Sequence, residues 1–390
     1  MIRYISSFSV KTLHSMVNRG LLCMLALSRP DADIVVEATA SSAGAFARVL
    51  EDTGKKALIR RLWVNSWPGK GATLLRYLQS AFHNAAALCR SSKGDTLIYN
   101  YNNVFSLALL NFLSRCILRQ RHIIIVCHGE MEYLANGGHT KAYKRLMCWL
   151  TRRFFTATPP GKLSADINFI VLGDVILSQL EAYLPGYMLE RFHSVDHPVS
   201  MPATAHKAAH SDGKIRLGTV GILNRYKGAD TYLRMLNSFG GDYGTLEFSA
   251  VGQIQSDLDG FRARGIRLAA NPREALPDDE FNDMVSELDY ILLFYPADNY
   301  RLIASGALLD TLRFRKPVIA ISTAYFRYFF EKFGVVGYLC DNADDMGSLI
   351  RRLDDMQPSA FDFDTALHKL TPESLAPRFG EILTLCGVRR

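Results

Sequence analysis

The chain has no CxxC pair, and its seven cysteines, Cys23, Cys89, Cys116, Cys127, Cys148, Cys340 and Cys386, are scattered and odd in number. That argues against a disulfide framework and against a thiolate zinc site, and fits a reducing cytosol. A long apolar run is also missing. The longest stretch, 104–118, is interrupted by Asn111, Ser114 and Arg115, whereas about 20 apolar residues are needed to cross a bilayer. The shorter run Leu21–Leu27 follows Arg19 without a convincing cleavage site, so it reads as a core helix rather than a signal peptide. Short-period repeats and low-complexity tracts are absent as well.

What remains is globular in composition: 390 residues, 48% hydrophobic and 21% charged, enough for two or three domains with a sizeable core. The net charge of +7 is unevenly spread. Residues 1–200 hold 23 Lys and Arg against 13 Asp and Glu, while residues 201–390 hold 22 against 25. A basic first half suits an anionic partner: membrane headgroups, a phosphorylated substrate or nucleic acid. Nucleic acid is the weakest of these, because the basic residues are dispersed and no zinc, RNA-platform or helix-turn-helix motif is evident.

Both halves alternate short β-branched or aromatic runs with helix-length amphipathic stretches, the pattern of parallel α/β domains. Strands are expected at 3–8, 34–37, 57–64, 96–101, 122–127, 168–172 and 191–195, and again at 214–221, 245–251, 266–269, 290–294, 317–321 and 337–340. Between the two sets lies 198–213, PVSMPATAHKAAHSDG, which has a linker composition. The expected organisation is a first doubly wound domain at 1–197, the linker, a second at 214–370, and a C-terminal helix at 371–390 packing back on the first. Two such domains would face each other across a ligand cleft at the carboxyl ends of their strands.

Three segments carry chemistry. In LGTVGILNRYKG (217–228), a strand ends at Gly221, a loop brings Arg225 and Lys227, and a helix starts near Gly228. Cations at a strand end beside a helix N-terminus suit phosphate; the plain alternative is a solvated basic loop. In YRLIASGALLDTLRFRKP (300–317), Tyr300 and Arg301 precede Ser305-Gly306 at an expected helix start, with Asp310 on the same helix. Such a helix mouth attracts anions, and a carboxylate beside it accepts hydrogen bonds from sugar hydroxyls; the plain alternative is a Ser N-cap with a surface Asp. In HIIIVCHGEMEYL (122–134), four β-branched residues make a buried strand, and His128 and Glu130 follow its carboxyl end as acid–base candidates. A His there is often structural. The pairs Asp278-Asp279, Asp344-Asp345 and Asp354-Asp355 have no His nearby and read as solvated faces, so no metal site is expected.

With these residues in view, the second half resembles the donor-binding domain of GT-B-fold glycosyltransferases, particularly the retaining family four that includes bacterial polysaccharide and lipopolysaccharide enzymes. That family carries Gly-Arg-Leu, then Lys-Gly; here Gly221, Leu223 and Lys227-Gly228 match, with Ile222 in the Arg position and Arg225 as a substitute. Of its two spaced glutamates, the second falls on Asp310 and the first on Leu302. Ser305-Gly306 falls where the family has a diphosphate-supporting glycine, and His128 resembles its first-domain His.

The resemblance implies a nucleoside diphosphate sugar as donor substrate, held by Gly221, Arg225, Lys227, Tyr300, Arg301, Ser305, Gly306 and Asp310, with no cofactor and no metal. It implies transfer to a saccharide acceptor, expected to be lipid-linked, in surface polysaccharide synthesis, with retention of configuration; if the reaction inverts, Glu130 is the candidate base. Lys141–Phe155 mixes basic and large apolar side chains and suits a helix on an anionic inner leaflet, or one packed on its own sheet. The expected location is cytoplasmic and peripheral at the inner membrane face. The alternatives are a non-catalytic sugar-nucleotide-binding scaffold and a sugar-nucleotide epimerase.

Overall fold

The computed structural model describes residues 1–8, 15–65, 71–135, 142–199, 212–296, 299–356 and 360–388. The chain forms two compact units, one of residues 1–200, 302–304 and 370–390, the other of 201–301 and 305–369. Most of the linker segment, 200–211, lies outside the described residues, as does Lys141.

The first unit holds a sheet of β1 (Ile2–Ser6), β2 (Ile34–Thr39), β3 (Leu58–Leu62), β4 (Thr96–Tyr99), β5 (His122–Val126), β6 (Ile167–Val171) and β7 (Phe192–Ser194). Its order is β3-β2-β1-β4-β5-β6-β7 and every pairing is parallel. The order reverses beside β1, which is the doubly wound arrangement. Ile123–Val126 are fully buried because helices cover both faces of such a sheet.

The C-terminal helix Pro372–Leu385 belongs to this unit. Its Phe379, Ile382 and Leu383 share a core with Leu21, Leu22 and Leu25 of the helix Ser15–Ser28. Arg29 fastens the contact, donating to the Gly380 carbonyl at 3.0 Å and to Thr384 Oγ1 at 2.9 Å. Leu21–Leu27 thus lies in a core helix, with Leu21, Leu22 and Leu25 buried and Leu27 on its exposed side.

The second unit holds β8 (Ile215–Val220), β9 (Leu246–Val251), β10 (Arg267–Leu268), β11 (Tyr290–Leu293), β12 (Val318–Ile321) and β13 (Gly337–Cys340), in the order β10-β9-β8-β11-β12-β13, again all parallel. The sequence places these strands correctly but extends most by a residue or two, because a residue flanking a strand can share its extended character without pairing in the ladder. Tyr232, Phe248, Phe261 and Phe294 fill the core beside β8, the Tyr232 and Phe294 rings stacking at 4.7 Å.

Among the described residues no helix is long and apolar enough to cross a membrane, and no group of His, Cys, Asp or Glu side chains is placed to hold a metal ion. The paired aspartates have a local explanation. Asp278-Asp279 and Asp344-Asp345 sit in the first turns of the helices Asp278–Ser286 and Ala343–Ile350, where the helix dipole favours negative charge. Asp354 accepts a hydrogen bond from Thr245.

Candidate functional site

The loop after β8 is shaped by two glycines. Gly221 has φ +83°, which turns the chain out of the sheet, and a Cβ there would meet nothing within 4 Å. Gly228 has φ +78°, and a Cβ there would lie 1.9 Å from the Phe294 carbonyl oxygen. Only glycine lets the loop sit this close to the end of β11. Between them Asn224 Oδ1 accepts from the Lys227 N–H at 3.1 Å and closes a single 3₁₀ turn, Arg225–Lys227, ahead of the helix Ala229–Asn237.

That turn sends its two cations apart. The Arg225 side chain is 81% exposed, and its Nε donates to Asp230 at 2.7 Å. Lys227 is half-buried, and its ammonium lies 5.8 Å from the Tyr295 ring centroid. Burial by itself lowers the Lys227 pKa, but Tyr295, Tyr300 and the Asp310 carboxylate outweigh it, and the group is held above the ordinary lysine value. It therefore stays protonated at neutral pH.

Around Lys227 stand residues from the loop after β11 and the next helix, Gly306–Arg313. Tyr295 packs its ring on Tyr300 at 4.4 Å. Tyr300 has φ +64°, a left-handed conformation that is strained for a tyrosine. Arg301 follows, half-buried. Ser305 is fully buried and caps the helix, accepting from the Leu308 N–H at 3.2 Å and donating to the Tyr295 hydroxyl at 3.3 Å. Gly306 is exposed in front of it, with open space where a Cβ would be. Asp310 accepts from Arg313 at 2.9 Å; burial raises its pKa, and Arg313 and Lys227 partly offset this. A fixed ammonium and a helix N-terminus in one place can neutralise a bound anion without rearrangement. Leu302, in the first glutamate position of the spaced pair, is apolar and 1% exposed.

The structure thus brings Lys227, Tyr300 and Asp310 together, with Ser305 joined to them through Tyr295. It sets Arg225 apart, so Arg225 and Lys227 do not act as a pair. Tyr295 and Asn224 escaped the sequence reading. Tyr295 carries a positional signal, being two residues beyond β11; Asn224 has the signature of a cap.

In the first unit, the buried β5 delivers His128 and Glu130 to its carboxyl end. The His128 N–H donates to both Glu130 carboxylate oxygens at 3.0 Å. His128 Nε2 lies 2.8 Å from the Asn100 carbonyl, which can only accept, so Nε2 carries the proton. Burial pushes the Glu130 pKa from 4.5 up to about 7, against the N–H groups of Glu130 and His128 that lower it. Both residues line a cavity of about 240 Å³ whose walls include Tyr77, Tyr101, Asn102 and Tyr133. The sequence reading missed these four, which come from two helices and the loop after β4.

No protein-family model matches the chain, and no curated protein is detectably similar to it in sequence. Solved structures are. The apo form of the lipopolysaccharide outer core galactosyltransferase WaaB matches over 98% of this chain and 99% of its own, at 14% identity and a TM-score of 0.57. The catalytic domain of starch synthase IV from Arabidopsis thaliana, bound to ADP and acarbose, matches over 100% and 99%, at 10% identity and a TM-score of 0.64. The fold is GT-B. The pneumococcal O-GlcNAc transferase GtfA, in complex with UDP and GlcNAc, matches over 80% of this chain and 60% of its own, at 13% identity and a TM-score of 0.52. Identities this low speak to the fold alone.

Proposed function

We propose that this GT-B protein is a glycosyltransferase that takes a sugar from a nucleoside diphosphate donor bound at the carboxyl end of β8. The observation that carries this reading is the placement of Lys227, whose ammonium lies over the Tyr295 ring near Asp310, beside the Ser305-Gly306 helix mouth. The donor's diphosphate lies against Lys227 and that mouth, which stabilise the charge developing on the leaving group. Asp310 faces donor hydroxyls. Neither metal nor cofactor is required, since Lys227 supplies positive charge.

The acceptor is a saccharide taken by the first unit. The acceptor hydroxyl attacks the anomeric carbon, the bond to the diphosphate breaks, and in a retaining reaction the departing diphosphate takes the hydroxyl proton. In an inverting reaction Glu130, with its pKa near 7, takes it instead.

A lipid-linked acceptor in polysaccharide synthesis, met at the inner leaflet, fits the surface of the helix Ala142–Ala157. Its Met147, Cys148 and Phe155 face the core, while Tyr143, Leu146 and Trp149 are exposed beside Arg145 and Arg153. The neighbouring helices Ala72–Cys89 and Val104–Cys116 add exposed Leu74, Leu78, Phe82 and Phe112. Apolar side chains flanked by cations suit an anionic leaflet.

A second reading, a non-catalytic sugar-nucleotide binder, is favoured by the buried Leu302 where family four carries a glutamate. Thermal unfolding with UDP, ADP and GDP and their sugar conjugates tests donor binding, because a ligand of the native state raises Tm. Release of free nucleoside diphosphate on adding saccharide acceptors separates the two readings: binding without release supports the scaffold. No shift with any nucleotide overturns both.

A further inference from the structure

We propose that the cavity of the first unit binds one uncharged, hydroxyl-bearing ring, the terminal residue of a saccharide acceptor, and that the Asn102 side-chain amide recognises it. The role as acceptor rests on the transferase reading; the binding of the ring does not.

Four observations converge. The cavity of about 240 Å³ holds about eight waters at roughly 30 Å³ each, the scale of one substituted ring rather than two. Its walls are aromatic, with Tyr101 stacked on Phe8 at 3.9 Å and Tyr77 and Tyr133 lining the same cavity. Small-molecule sites are built in this way, from apolar walls and a few placed polar groups.

The polar group left over is Asn102. It lines the cavity and is 1% exposed, yet among the described residues neither Nδ2 nor Oδ1 has a hydrogen-bond partner. Buried amides are ordinarily satisfied, and an orphaned one lowers stability unless something completes it. An amide offers two donors and an acceptor, and adjacent hydroxyls, each able to donate and accept, are its complement. The charge is right for a neutral ligand too. No Lys or Arg is among the described residues lining the cavity, and Glu130 is the acid there, so a phosphate or carboxylate would find no counter-charge.

The test uses the full chain, with methyl glycosides of glucose, galactose, mannose and N-acetylglucosamine titrated by ligand-observed NMR, without nucleotide. At least one is expected to bind saturably. Asn102→Leu should weaken that binding at least about tenfold, as loss of a hydrogen-bonding group in a buried site does, while leaving Tm unchanged or higher because an unsatisfied amide is gone. Asn102→Ala, which removes the amide without adding bulk, keeps the test alive if the leucine variant folds poorly, and should also lose the glycoside. Both variants should keep the wild-type Tm shift with UDP. Failure of every glycoside to bind, equal binding to the variants, or tetramethylammonium binding in place of the glycosides would overturn the proposal. Glycoside binding with no nucleotide shift would instead sink the transferase reading and leave the pocket standing.

Discussion

Lys227 and Arg225 are two residues apart in sequence and differ in everything the structure adds. Replacing Lys227 by Met keeps most of the aliphatic stem and removes the ammonium. A charge-assisted hydrogen bond to a diphosphate contributes about 1.5–3 kcal/mol, so the affinity for UDP or ADP should fall roughly 10- to 150-fold at 1.4 kcal/mol per tenfold. Asp310 keeps Arg313 as partner, at 2.9 Å, so the unit should stay folded. Arg225→Met breaks only an exposed pair with Asp230 and should leave nucleotide affinity nearly unchanged. Isothermal titration at pH 7.5 measures both. Because the Lys227 pKa is raised, wild-type affinity should hold as pH rises to 9. Equal losses in the two variants, or none in Lys227→Met, would refute the inner-cation argument.

Gly228→Ala forces a Cβ onto the Phe294 carbonyl and should destabilise the chain by about 3 kcal/mol, from left-handed strain and a shifted loop, as read by urea unfolding. Gly221→Ala has the same strain with open space, and about 1–2 kcal/mol is expected. Glu130 keeps a proton in the folded chain up to about pH 7, whereas the unfolded carboxyl loses it near 4.5. Native stability therefore falls as pH rises through that window. Glu130→Gln should gain roughly 1 kcal/mol at pH 8 relative to its effect at pH 4, after solvent screening of a partly exposed group. Flotation with phosphatidylglycerol vesicles should be salt-sensitive and should drop when Leu146 and Trp149 are both changed to Ser; indifference of the wild-type chain to these vesicles would remove the leaflet from the proposal.

The strands were legible in the sequence because parallel strands buried on both faces must be apolar runs, as in Ile123–Val126 and Tyr290–Leu293, and their number and spacing already specified two doubly wound sheets. The Gly221 to Gly228 loop was legible for a related reason: a backbone that must adopt positive φ, and at Gly228 touch Phe294, leaves its requirement in the residue itself. Side-chain direction left no such trace. Arg225 and Lys227 are both cations in one 3₁₀ turn, and only the packing of Tyr295, Tyr300 and Asp310 decides that one is drawn inward and the other left in water. The same holds for the cavity of the first unit, where tertiary folding brings Tyr77 and Tyr133 from distant stretches of chain to Tyr101 and Asn102. Local sequence sets what a backbone segment can become; which side chains share an environment, and so their charge state and chemistry, depends on contacts that only the folded chain makes.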